Sequence, residues 1–392
     1  MTAQRPRRLL FLCNALDDDT RIERRITSDS PAASRKIFMM LQALRRPGIN
    51  PHALSLGRGR RDGSARHHPS TLRRSNGVGI IYLPFANRRF VSELVSLLAP
   101  VGVLWRLRRA AKRTTLLFYN RERFYLPALL TARLLGYRTV LDLEDGEVGM
   151  TGLPARARRW LFDQLCTGGA LLACSALTAW TTLRPALCYY GIVETSDVAR
   201  DWHASALGVL MGGTLIADTG VDLLAEAIAQ LRAARPAWAD ALEIHVTGKG
   251  DGLATLEQLS ACSVAPRVIV HGRTTDAEYT AILDRIHIGL ALKLNNGPLA
   301  QTTFPSKVTE MAGAGVLVLT TDISDVRTVL GDGARYLERD DAALLVAELH
   351  AIVADRDAAA AAAARGLANV RKICAADRAG ERLATHLFGD PR

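Results

Sequence analysis

The sequence predicts two doubly wound α/β domains in tandem. Three observations carry that prediction. Short apolar runs alternate with stretches of helical period. The alternation comes in two separate series, one from Leu9 and one from Leu207. At 392 residues the chain also exceeds one ordinary domain. The expected division is 1–200, then 201–370, with 371–392 as a terminal helix that crosses back to the first domain.

Leu9–Cys13 reads as a buried parallel strand. Ser34–Leu44 is helical, with Ile37, Met40, Leu41 and Leu44 on one face and Pro47-Gly48 as its stop. His52–Leu56 and Val78–Leu83 are strands, and the Arg/Gly/Ser/His-rich 57–76 between them reads as a loop. Leu116–Tyr119, a helix from Leu126 to Leu135, and Thr139–Leu143 make a further βαβ unit. Helices are expected to fill 155–205, apart from a short strand near Ala173–Ser175. In the second series, Gly208–Met211, Leu242–Val246, Val268–Val270, Ile288–Leu292 and Val316–Leu319 are strands with helices between them. The tail from Ala342 to Leu387 is helical.

Charge separates the two series. Residues 1–140 hold 27 of the 50 lysines and arginines but only 8 of the 39 acidic residues, and the remainder is net acidic. A basic front half suits an anionic partner. Arg88–Arg113 sharpens this: Phe90, Leu94, Leu98 and Trp105 stand between Arg88, Arg89, Arg106, Arg108, Arg109, Lys112 and Arg113. Pro100 is expected to split the segment into two helical pieces. Basic flanks around an apolar stripe suit an anionic membrane surface, and a core helix with a solvated basic edge is the alternative. Aromatics do not interleave with the basic residues as nucleic-acid stacking platforms do, so no nucleic-acid partner is expected. Nothing at the start resembles a signal peptide, and no apolar run reaches the ~20 residues of a membrane-spanning helix. The expected location is therefore the cytoplasm, peripheral on the inner face of the cell membrane. The six cysteines show no zinc spacing.

Ligands of open α/β sheets lie beyond the carboxyl ends of the strands. Phe304-Pro305-Ser306-Lys307, followed by Glu310, occupies such a loop and opens a helix. Pro305 suits a first helical turn. Free amides, Ser306 and the Lys307 ammonium suit a diphosphate there, and Glu310 suits ribose hydroxyls. Gly248-Lys249-Gly250 follows a strand, where glycine admits either a nucleotide or a tight turn. At the end of a front-half strand, the run Leu141–Glu147 (LDLEDGE) crowds carboxylates. Glu144 and Asp145 are the acceptor-side candidates, and a solvated helix cap is the alternative. Tyr119-Asn120-Arg121 ends the neighbouring strand and suits acceptor hydroxyls or phosphate. Asp17-Asp18-Asp19 invites a metal reading, which its place after the first strand of a βαβ series argues against. No serine has a convincing triad context.

The run FPSKVTEMAGAGVLVLTTD, Phe304–Asp322, resembles the donor-nucleotide segment of the retaining GT-B glycosyltransferases of family GT4. Gly212-Gly213, Thr219–Leu224, His245–Gly250 and Tyr279 fit the same pattern in the same order. The resemblance covers residues 205–345 and weakens over the front half. It implies two Rossmann-like domains facing a cleft, with a nucleotide diphosphate sugar, UDP- or GDP-linked, as donor. It implies neither a further cofactor nor a bound metal. The implied reaction moves a hexose, with retention of configuration, to a lipid-linked or growing glycan in cell-surface polysaccharide synthesis. Lys307, Glu310 and Asp145 would be the reacting-site groups. Gly213, Thr214, Gly248, Lys249, Gly250, Arg273, Pro305 and Ser306 would border the donor. Three positions depart from the pattern. Thr302 replaces the first of two bracketing glutamates, and Thr214 and Thr219 replace an arginine and a lysine that grip the diphosphate. Lys307, with Arg273 or Lys293, would then supply the charge. The departures leave a noncatalytic partner subunit as an alternative, beside a GT-B-fold sugar-nucleotide epimerase.

Overall fold

The computed structural model describes residues 6–61, 66–75, 77–86, 88–146, 152–297 and 299–389. Glu147 of the acidic run, Gly149 and the side chain of Arg89 lie outside that description. The chain divides into two compact units, Met1–Ile192 with Ala376–Arg392, and Val193–Ala375. The division falls a few residues before 200, and the return falls after Ala375.

Unit 1 contains, in order, β1 (Arg7–Cys13), α1 (Pro31–Ala43), β2 (Ile49–Ser55), β3 (Thr71–Ser75), β4 (Val78–Tyr82), α2 (Arg89–Arg106), β5 (Thr114–Tyr119), α3 (Leu126–Leu134), β6 (Arg138–Leu143), α4 (Leu153–Leu165), β7 (Ala170–Leu172) and β8 (Ala186–Cys188). These strands form one eight-stranded sheet in the order β8-β7-β6-β5-β1-β2-β4-β3. All pairs are parallel except β3 with β4. Central strands covered on both faces need continuous apolar runs, and Leu9–Cys13 is buried throughout. Ser30 caps α1 by accepting the Ala33 N–H. The face of α1 with Ile37, Met40 and Leu41 joins Leu9 and Phe11 in the core. The C-terminal helix Ala376–Phe388 belongs to this same core through Ala379, Leu383 and Leu387. Each buried leucine there contributes roughly 1.5–3 kcal/mol. Gly380 lets the helix pack directly on α1, because a Cβ there would meet the Ala43 carbonyl at 2.6 Å.

Three expectations need correction. Residues 57–76 are not one loop: Arg60–Arg61, His67–His68 and β3 are short strands, and β3 is an edge strand with Leu72 facing solvent. Pro100 does not divide α2. It sits inside one continuous helix with its ring buried, so the missing N–H and the ring are absorbed locally. Residues 166–205 are not helical, and β7 and β8 are three-residue strands linked by a 3-10 turn, Ser175–Trp180.

Unit 2 contains β9 (Leu207–Thr214), α5 (Val221–Ala234), β10 (Leu242–Lys249), α6 (Leu253–Ser260), β11 (Arg267–Gly272), α7 (Asp276–Leu283), β12 (Ile286–Ala291), α8 (Ser306–Gly313), β13 (Leu317–Thr321), β14 (Ala334–Leu337), α9 (Ala342–Ala354) and α10 (Arg356–Cys374). The sheet is wholly parallel, in the order β11-β10-β9-β12-β13-β14. Val209, Ile244, Ile288 and Leu319 form its core with Leu224 and Ile228 of α5 and Leu345 and Leu349 of α9. In each unit the strand order reverses beside the first strand, between β1 and β5 and between β9 and β12. Such reversals open a crevice at the carboxyl ends of the strands.

Candidate active site

In unit 2 the crevice is bordered by the end of β9 and the start of α8. Pro305 is the residue before α8, not part of its first turn, and no side chain caps the helix. The Val308 amide is taken by the Pro305 carbonyl at 3.0 Å, and among the described residues the Ser306 and Lys307 amides are left for a ligand or water. Spacing of three puts Lys307 and Glu310 on one helix face. The Lys307 Nζ donates to Glu310 Oε2 at 2.8 Å and to the Tyr279 hydroxyl at 3.2 Å. It lies 4.4 Å from the centroid of the Tyr279 ring. Burial works against the ammonium, but Glu310 and Tyr279 outweigh it and hold its pKa above the ordinary lysine value. Gly213 stands close by: a Cβ there would lie 3.6 Å from Lys307 Cε. Gly213, Tyr279, Lys307 and Glu310 are thus brought together, with Ser306 exposed at the helix start.

In unit 1 the carboxyl ends of β5 and β6 are stitched by Asn120. Its φ of +56° is one that asparagine tolerates. Its N–H donates to the Asp142 carbonyl at 2.7 Å, and its Oδ1 accepts the Glu144 N–H at 2.8 Å. The Glu144 carboxylate pairs with Lys36 of α1. Lys36 also sits 4.9 Å from the centroid of the Tyr189 ring. Asp142 and Glu144 are both buried, whereas Asp145 is exposed. Burial, then Glu144, Asp142 and Asp145, push the Tyr119 phenol far above its ordinary value. Tyr119 and Asn120 at the end of β5 therefore lie beside Glu144 and Asp145 at the end of β6.

Residues 207–368 match the family model described as glycosyl transferases group 1. No curated protein sequence matches the chain. The chain superposes on the crystal structure of TarM at 9% identity, covering 97% of this chain and 99% of that one, with a TM-score of 0.68. HepE from Anabaena, in complex with UDP and glucose, is similar at 13% identity, 97% and 99% coverage and a TM-score of 0.68. Sucrose-phosphate synthase from Thermosynechococcus elongatus is similar at 12% identity, 97% and 98% coverage and a TM-score of 0.66. The chain has the GT-B fold, and its second unit matches a glycosyltransferase family model.

Several residues singled out in the sequence have other work. Arg121 is buried at the end of β5. It donates to Asp163 at 2.9 Å and to the Trp180 carbonyl at 2.8 Å, so it braces the interior and does not face an acceptor. Gly248 and Gly250 are required by the protein's own backbone. A Cβ at Gly248 would meet the Gly213 carbonyl at 1.8 Å, and one at Gly250 the Leu215 carbonyl at 2.1 Å. The side chains of Lys249 and Arg273 are exposed. Lys293 is committed to Asp218 at 2.8 Å. Thr214 is exposed, and its carbonyl lies 2.7 Å from Thr219 Oγ1. Thr219 Oγ1 also accepts the Ile216 N–H at 3.1 Å, a turn-closing role that a lysine side chain cannot fill. Asp17 caps the helix Asp18–Glu23, Asp18 pairs with Arg21, and Asp19 lies 3.8 Å from Arg73. Among the described residues no group of His, Cys, Asp and Glu could hold a metal ion.

Lys36, Asp142 and the hydroxyl contact of Tyr279 were not legible as site features. Lys36 is 108 residues from Glu144 in sequence. The signal available for Asp142 was its place two residues before Glu144, which puts both side chains on one face of the strand.

Proposed function

We propose that this glycosyltransferase moves a hexose from a nucleotide diphosphate sugar to a hydroxyl of a lipid-linked or growing glycan, with retention, in cell-surface polysaccharide synthesis. One observation carries the donor half: Lys307, kept charged, stands in the first turn of an uncapped helix beside Gly213. As the sugar bond breaks, negative charge gathers on the diphosphate oxygens. A preorganised ammonium and free helix amides stabilise that charge more than they stabilise the intact donor. Glu310, one turn along, accepts from ribose hydroxyls. The HepE structure holds UDP and glucose, which supports a UDP-sugar as the first donor to test. On the acceptor side, Asp145 and the Glu144–Lys36 pair receive the hydroxyl, with Tyr119 and Asn120 shaping the edge. The departing phosphate takes the acceptor proton in a front-face displacement. A thermal-shift panel of UDP- and GDP-sugars tests the donor half, because a bound donor raises stability by mass action. If no nucleotide sugar shifts the native protein, the reading fails.

The membrane half rests on α2. Phe90, Val91, Leu94, Leu98 and Trp105 fall on one stripe of the helix, and Phe90 is 85% exposed. The opposite stripe, with Ser96, Pro100 and Leu104, is buried. Arg88, Arg106, Arg108, Arg109, Lys112 and Arg113 are all exposed around it. An apolar stripe turned to solvent within a basic rim suits the cytoplasmic, anionic face of a bilayer. No helix among the described residues is long and apolar enough to cross a membrane.

The missing gripping residues favour a second reading, a noncatalytic partner subunit. Thr302, Thr214 and Thr219 stand where charged groups are expected. Sugar transfer from a donor that the thermal-shift panel identifies would exclude it.

A further inference from the structure

Asp142 and Glu144 project from the same face of β6 and its end, toward Lys36 on α1. Asp142 is 1% exposed, and neither of its carboxyl oxygens has a hydrogen-bond donor among the described residues. Glu144 gives Oε2 to Lys36, while its buried Oε1 has no donor among the described residues. A side-chain hydrogen bond with Glu144 is among the causes that raise the pKa of the Asp142 carboxyl, and two carboxylates share such a bond only with a proton between them. The ionisable neighbours are Cys13 of β1, Tyr119 of β5, Lys36 and Asp145. Burial pushes the Cys13 thiol up to about 12 and the Tyr119 phenol higher still, so neither carries charge near neutral pH. Burial, then Glu144, hold the Asp142 carboxyl well above the carboxylate range, and Lys36 opposes them only in part. Lys36 itself is desolvated, yet Glu144 and Asp142 keep it protonated. One ammonium neutralises one buried carboxylate, and a second uncompensated one is strongly disfavoured.

We propose that Asp142 is a neutral positioning residue: its carboxyl proton is donated to Glu144, which Lys36 holds from the other side. The fixed Glu144–Lys36 pair reaches solvent with 10% and 17% of its side-chain surfaces. That small opening is what an acceptor hydroxyl meets, a use that rests on the proposed function. The proton on Asp142 does not depend on it.

Infrared spectroscopy of the full-length protein tests the proton directly. At pH 7, where ordinary carboxyls have ionised, the native protein is expected to show a protonated carboxylic-acid carbonyl band that Asp142→Asn lacks. Asparagine can donate to Glu144 from the same place, so the variant is expected to fold. Between pH 5 and 7 the native folding constant should fall about tenfold per pH unit relative to Asp142→Asn. That slope marks one proton taken up on folding. A native spectrum without the band, or parallel pH profiles, overturns the proposal, since an ionised and merely structural Asp142 gives both. If Asp142→Asn does not fold, Lys36→Met replaces it. With the cation gone, the band should grow, and a band that does not grow overturns the proposal. A thermal shift with any member of the UDP- and GDP-sugar panel, in the same native samples, reads the donor assignment separately, because the donor residues lie in unit 2. Loss of that shift alone would sink the donor assignment and leave the proton on Asp142 standing.

Discussion

Replacing Lys307 by methionine isolates its charge. Methionine keeps most of the aliphatic stem beside Gly213, so packing changes little while the ammonium over the Tyr279 ring disappears. The fold should tolerate this. The Lys307–Glu310 pair is 2.8 Å long, but its side chains are 30% and 20% exposed, and such a pair contributes about 1 kcal/mol or less. Its pKa is raised, so the pair's contribution is present at neutral pH and fades only as pH climbs past the ordinary lysine value of 10.5. Catalysis should suffer far more. Removing one preorganised donor from a site of developing negative charge costs about 3–4 kcal/mol, or roughly 10²–10³ in kcat. The assay is release of nucleotide diphosphate from the donor found by thermal shift, with melting temperature as the control for folding. Glu310→Gln separates two roles for the carboxylate. If Glu310 holds ribose, donor affinity falls; if it only neutralises Lys307, affinity rises. A Lys307→Met variant that binds and turns over donor like the native protein would refute the reasoning.

Gly248→Ala should destabilise by about 2–6 kcal/mol, the sum of overpacking against the Gly213 carbonyl and strain at φ +123°. Gly213→Ala meets no such clash and should cost about 1–3 kcal/mol from φ +115° alone; equal losses in chemical denaturation would contradict the difference. Arg121→Ala should cost about 3–5 kcal/mol, because Asp163 would remain buried with Thr181 and Thr182 but no cation. A change below about 1 kcal/mol would return Arg121 to the surface roles expected of it. Combined Phe90→Ser, Leu94→Ser and Leu98→Ser should abolish sedimentation with anionic vesicles while leaving melting nearly unchanged. Binding by the native protein should weaken with salt, and salt-independent binding to zwitterionic vesicles would contradict the basic rim.

The central strands were legible because parallel strands covered on both faces must be apolar throughout. Leu9–Cys13 and Ile288–Leu292 announce themselves in that way. Edge strands obey no such constraint, so Thr71–Ser75, with two arginines and an exposed leucine, looks like a loop until it pairs with Val78–Tyr82. Three-residue strands such as Ala170–Leu172 are shorter than any period can reveal. The Lys307–Glu310 pair was readable because a helix turns spacing into proximity. Arg121 escapes sequence reasoning because its partner Asp163 lies 42 residues away, on α4. The two readings of Gly248 and Gly250 differ only in what approaches the backbone, which the structure shows to be Gly213 at the end of β9 and Leu215 just beyond it.

The helix Ala376–Phe388 gives the chain an unusual order of completion. Arg7, Thr115 and Arg138 all hydrogen-bond to carbonyls at its end. Its leucines sit among residues such as Leu9, Phe11 and Ile37, translated more than three hundred positions earlier. During synthesis, the first sheet therefore emerges with an uncovered apolar face and waits while all of unit 2 is made. Unit 2, a single uninterrupted stretch, can reach its native state first. Nascent chains arrested before Ala376 should accordingly show a protease-resistant second unit and a first unit still open to cleavage.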